Sequence, residues 1–133
     1  MSVCLHCGVD DCEALFHECL VRDFTDAGYG IMHHLTVGAY MLQHNSYTDE
    51  MASTMAEFVL EHLDRPPGDT EKRRIREWTD GAQRVTRRGA ISPLAPPGGW
   101  SLTIADVDIG DAESYRATVR AWAEAVARTM ANE

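Results

Sequence analysis

All four cysteines of the chain, Cys4, Cys7, Cys12 and Cys19, lie within its first 19 residues. Whatever the rest folds into must bring this thiol-rich start to a place where the sulfurs are either used or packed away. Cys4-Leu5-His6-Cys7-Gly8 has the spacing of a metal knuckle. Two residues between the thiols, and a glycine after the second, let the backbone wrap around Zn²⁺ and supply half of a tetrahedral site. In a reducing compartment such clustering favours thiols or a metal over a disulfide framework. A thioredoxin-like redox motif needs a strand before it and a helix directly after it, and only three residues precede Cys4. The plain alternative is a set of metal-free thiols packed as small hydrophobes.

Hydrophobic periodicity gives the frame. Cys12, Leu15, Phe16, Cys19 and Leu20 recur at three- and four-residue spacing, which predicts a helix from Asp11 to about Asp23, followed by a turn over Thr25-Asp26-Ala27-Gly28. From Tyr29 to His44 the chain is apolar nearly all round, as a central buried helix is. Thr48 starts a third helix with Met51, Met55, Phe58, Val59, His62 and Leu63 inward, stopped before Arg65-Pro66-Pro67-Gly68. Short connections make these three an antiparallel set. A fourth helix is expected from Glu71 to about Arg88, with Ile75, Trp78, Ala82 and Val85 inward. The Pro- and Gly-rich stretch 89–101 reads as a loop, with Trp100 either covering a pocket mouth or pinning the loop to the core. Thr103-Ile104-Ala105-Asp106 has capping-box spacing, and Asp111 caps a last helix with Tyr115, Val119, Trp122, Val126 and Met130 on one face.

Helix geometry nominates the remaining metal ligands. In an antiparallel pair turning near residue 26, positions whose numbers sum to about 52 lie level, so Cys12 faces Tyr40 and is within roughly one 5.4 Å turn of His44. The expected site is Cys4, Cys7, Cys12 and His44, with His6 and His17 as competing fourth ligands. Tyr40 is placed to donate a hydrogen bond to a ligand, or simply to pack. His33 and His44 are eleven residues apart, roughly 16 Å along a helix, so they serve different ends of the bundle. His33 and His62, with Cys19 alongside and Asp23 one turn further on, form a second candidate cluster, either a second metal site or a catalytic acid–base set, or histidines that merely satisfy their hydrogen bonds. His34 falls on a flank, about 100° from His33.

The 133 residues carry a net charge of −9, with 44% hydrophobic and 25% charged residues, the ordinary make-up of a globular domain. That acidity excludes sequence-independent binding to nucleic acid and to anionic membranes, leaving a small molecule, a metal ion or a protein as partner. Seven of the twelve basic residues fall between Lys72 and Arg88 and read as a solvated face, with an anion site as the alternative. No apolar stretch is long enough to span a bilayer, and Met1-Ser2-Val3 runs into Cys4 without a leader, so the expected location is cytoplasmic. Eleven arginines to one lysine, with abundant alanine, suggest a GC-rich bacterial genome.

Cys4-x-x-Cys7-Gly8, Cys12 with Phe16, His33-x-Leu35-x-Val37-x-Ala39-Tyr40-x-x-Gln43-His44 and His62-Leu63 together resemble a bacterial family described as domain of unknown function 5946. The ending, Leu102 to Val107 and then Trp122-Ala123-Glu124, is similar too. The resemblance implies a zinc-bearing helical fold and no particular activity. Two positions depart from the family pattern: Gly38 stands where an acidic residue is expected, and Asn45 where a proline is.

The expected architecture is all-α: one domain over residues 1–133, a bundle of about four to five helices opened by a zinc knuckle at 1–10. Three thiolates and an imidazole close the coordination shell, so the zinc is expected to be structural and the protein an accessory or binding protein. The competing reading is a small-molecule enzyme, acting on a compound such as a natural-product intermediate, with Asp23, His33 and His62 in a pocket of the bundle.

Overall fold

Residues 3–80, 86–87, 89, 91–94, 96 and 99–131 are described by a computed structural model, with the side chains of 76 and 78–80 left aside. Their apolar periodicity resolves into six α-helices: α1 (Cys12–Thr25), α2 (Ala27–Gly30), α3 (His33–Gln43), α4 (Asp49–Glu61), α5 (Asp69–Asp80) and α6 (Ala112–Ala131), with a 3₁₀ turn at Ile104–Asp106. Among the described residues there is no strand, only isolated antiparallel bridges pairing Val3 with Asp10 and Tyr47 with Thr86. No helix among them is long and apolar enough to cross a membrane.

The long central helix expected over 29–44 is divided. Asp26 accepts a hydrogen bond from the Gly28 N–H at 2.8 Å, which starts the single turn of α2 inside the predicted loop. Gly30 then passes so close to α1 that a Cβ there would lie 2.5 Å from the Asp23 carbonyl oxygen. This contact fixes a tight α1–α2 corner, and the chain re-enters helix only at His33. Ile31, expected inside, is 44% exposed as a result.

Helix α6 shares the centre with α3. Tyr115, Val119, Trp122 and Val126 on its inner face are fully buried, with Met130 half-buried at the end. Thr36 meets Tyr115 and Gln43 meets Trp122, so α6 runs parallel to α3. Arg120 pairs with Asp64 just beyond α4, while Met130 lines a cavity with Asp49 and Ala52, so α6 runs antiparallel to α4. Truncating Trp122 to alanine would cost roughly 3–5 kcal/mol by the usual core rule. Gln43 and Thr36 are fully buried polar side chains of this core, and both ends of the Gln43 amide are bonded: it donates to the Leu102 carbonyl at 2.8 Å and accepts from the Trp122 indole at 3.1 Å.

The expected antiparallel set is present. Cys12 meets His44 and Asp23 meets His33, which orients α1 against α3; His34 meets Phe58 and His62, which orients α3 against α4. The last contact requires Gly38, where a Cβ would lie 2.8 Å from the Val59 Cγ2. An acidic side chain does not fit there. The capping box at Thr103 forms with both of its bonds, and Asp111 accepts from the Ser114 N–H at 2.8 Å. The fourth helix is described as far as Asp80; the expectations for Ala82, Val85 and Arg88, and for the Trp78 side chain, lie outside the described residues.

Candidate metal centre

The lead-in turns back on itself before α1 begins. The Gly8 N–H donates to the Cys4 carbonyl at 2.9 Å and the Cys4 N–H to the Val9 carbonyl at 3.2 Å. Gly8 sits at φ +76°, a conformation that glycine adopts without a Cβ penalty. This turn presents Cys4 and Cys7 to the start of α1, where Cys12 is buried, and to the end of α3, where His44 is the C-cap. The ligand atoms of Cys4, Cys7, Cys12 and His44 all lie within 4.8 Å of one another. These are the four residues expected from the sequence.

The group is able to hold a metal ion. Metal–sulfur bonds of about 2.3 Å and metal–nitrogen bonds of about 2.0–2.1 Å give tetrahedral edges of roughly 3.5–3.8 Å. The Cys12 Sγ lies 3.6 Å from the His44 Nε2. The His44 Nδ1–H donates to the Tyr40 carbonyl at 2.7 Å, so the lone pair is left on Nε2, the nitrogen that faces the thiols. Such a bond orients a ligating imidazole and fixes its tautomer. The Tyr40 hydroxyl lies 3.7 Å from the Cys12 Sγ, and its ring is stacked between Phe16 and His44, with centroids 3.9 Å and 4.0 Å away. One residue thus supports two of the four ligands, by bonding and by packing together.

The electrostatics suit a cation. Burial, then the neighbouring Cys4 and Cys12 thiols, push Cys7 up to about 12 against the Val9 N–H. Cys12 is raised by burial, against the Tyr40 hydroxyl. Cys4 is lowered: burial opposes its ionisation, but the backbone N–H groups of Cys7 and His6 outweigh it. Burial holds His44 below its ordinary value, keeping the ring neutral and able to ligate. Bound metal reverses the thiol shifts, because its charge favours the thiolates, and uptake would release protons.

The competing ligands stay outside the group. His17 is exposed, 4.0 Å from Glu13. His6 has its ring centroid 5.6 Å from that of His44, and its Nδ1 is buried without a partner. Its carbonyl accepts from the Trp100 indole at 3.0 Å, so Trp100 pins its loop to the knuckle.

The second cluster assembles differently from the expected set. Asp23, with its side chain wholly buried, accepts from the His33 Nδ1–H at 3.0 Å and from the Tyr115 hydroxyl at 2.7 Å. Cys19 lies beside this carboxylate; burial first, and then the Asp23 charge, push it up to about 11. His62 does not join them. It caps α4, donating Nδ1–H to the Phe58 carbonyl at 2.8 Å, and its own carbonyl accepts from the His34 Nε2–H at 2.7 Å. His34 is therefore half-buried between α3 and α4, not a flank residue. The level rule missed this because the C-terminal turn of α4 reaches the α3 face one residue round from His33. Tyr115 is not expected at either site, and no sequence signal marks it, since its partner is 92 positions away.

The family model described as a family of unknown function, DUF5946, matches residues 2–131. The chain belongs to the DUF5946 family. No curated protein and no solved structure matches it. In this DUF5946 member Asn45 takes φ +53°, directly after the candidate ligand His44. A proline, fixed near −65°, cannot adopt that conformation. Asn45 is thus a left-handed residue that turns the chain sharply out of α3, with its amide donating to the Ser92 carbonyl at 2.9 Å.

Proposed function

We propose that this protein is a zinc-binding bacterial accessory or binding protein of the cytoplasm, and that its zinc is structural. The observation that carries the reading is the convergence of Cys4, Cys7, Cys12 and the Nε2 of His44 within 4.8 Å. Three soft thiolates and one imidazole favour zinc among the common divalent ions, and four protein ligands leave no position for a reactive water. The ion would join three segments that are distant in sequence: the knuckle, the start of α1 and the end of α3. The partner is a small molecule or a protein. The net charge of −9 argues against nucleic acid.

Metal analysis of the purified, reduced protein tests this directly. One zinc per chain is expected, lost in Cys4→Ser and in His44→Ala, and cobalt substitution should give the absorption of a tetrahedral thiolate site. Folded, fully reduced protein that takes up no zinc or cobalt would overturn the reading.

A further inference from the structure

A cavity of about 410 Å³ opens between α3, α4 and α5, within the size range of small-molecule sites. Its walls are apolar, with Ile31, Val37, Met55, Phe58 and Ile75 among them, and Phe24, 75% exposed, lies against His33 at its edge with ring centroids 4.9 Å apart. The chain holds 21 acidic residues, yet no carboxylate lines this cavity among the described residues. The exposed Lys72 is the charged side chain that lines it among the described residues. The N-terminus of α3, which has no side-chain cap, lies at the same place and adds its positive end.

His33 completes the polar side. Asp23 behind it holds the proton on Nδ1, and Tyr115 in turn orients Asp23, so Nε2 is the free polar atom of a ring that is 38% exposed. We infer that this cavity binds a small carboxylic acid with an apolar body, its chain or ring against the apolar walls and its carboxyl group between His33 and Lys72. Near neutral pH such an acid arrives as the carboxylate, so His33 takes up a proton from solvent at Nε2 and donates it to one carboxylate oxygen, which leaves the ligand opposite imidazolium and ammonium. An amine would meet Lys72 and find no counter-charge. An alcohol would gain the apolar contacts alone. Asp23 and Tyr115 act as positioning residues that do not touch the ligand. The inference deepens the binding role proposed above and does not depend on what the cysteines hold.

The test is calorimetric titration, near neutral pH, of protein whose zinc content has been measured, using decanoate, 4-phenylbutyrate, decanol and decylamine. Decanoate or 4-phenylbutyrate should bind roughly tenfold more tightly than decanol, the scale of one charge-assisted contact, and decylamine should not bind. The better of the two acids distinguishes an aliphatic from an aromatic body. His33→Gln and Lys72→Met, both at the accessible side of the cavity, should each weaken the acid about tenfold and leave decanol unchanged. Asp23→Asn should move the proton from Nδ1 to Nε2 of His33, visible in the ring ¹⁵N shifts, and reduce the proton uptake on acid binding that the buffer dependence of the enthalpy reads. Equal affinity for acid and alcohol would overturn the inference, as would His33→Gln and Lys72→Met variants that bind the acid normally. So would a self-association broken by Ile31→Asp without acid binding, which would assign the face to a second copy. Zinc-loaded protein that binds no acid leaves the zinc reading standing; zinc-free folded protein that binds acid has the opposite meaning.

Discussion

The two ends of α3 carry the same side chain in different company. At each end a histidine donates its Nδ1–H to an oxygen of the protein, the Tyr40 carbonyl for His44 and the Asp23 carboxylate for His33, leaving Nε2 as the free nitrogen. At the C-terminal end that nitrogen meets buried thiols; at the N-terminal end its ring borders an open, apolar cavity. The helix dipole sorts them in the same direction, since its negative end favours a cation and its positive end an anion. Identical imidazole chemistry is thus given different surroundings by what the neighbouring helices bring to it.

The largest expected separation of the two ends comes from cutting one residue at each. Cys12→Ser should lose the metal and lower the melting temperature by roughly 10 °C or more, because binding free energy at a structural site is folding free energy. Asp23→Asn should keep the metal and lose about 1–3 kcal/mol, the cost of disturbing one buried hydrogen-bonded group. Metal analysis and thermal unfolding of both variants check this. If Asp23→Asn also released the metal, the two ends would be one cooperative unit.

Tyr40→Phe should have a smaller effect, confined to the cysteine end. It removes the hydroxyl beside the Cys12 Sγ and keeps the rings stacked, so competition with a chelator should show metal affinity reduced about tenfold without loss of the fold.

The smallest effect concerns pH and the other end of α3. Burial holds His34 below its ordinary value of 6.5, so between the folded and unfolded values the unfolded chain binds the extra proton. The stability contributed by neutral His34 is complete above pH 6.5 and is lost as the pH falls from there toward the folded value. Urea unfolding of His34→Gln over that window should show a shallower loss on acidification than the parent.

Much of the cysteine site was legible because its ligands obey local rules. Cys-x-x-Cys-Gly fixes a turn by itself, and the level relation across one short corner carries Cys12 to His44. The helical inner faces were legible for the same reason: the period that places Met51, Met55 and Val59 together belongs to a single element. The second cluster was legible only in half. Asp23 and His33 are joined across the same corner, whereas His62 was carried to His34 by the way α4 ends, which no spacing within α3 encodes.

The order of the chain by itself determined that helices form, where most of them start, and that four particular residues near two helix ends have the chemistry of a metal site. Only the packed molecule decided that α6 lies parallel to α3, that Gly38 and Gly30 are points of contact, and that Tyr115 closes over Asp23. Periodicity and short turns are properties of a few neighbouring residues. Which apolar face lies against which, and what polar group is trapped between them, depends on filling one shared volume, and that is settled by all the helices at once.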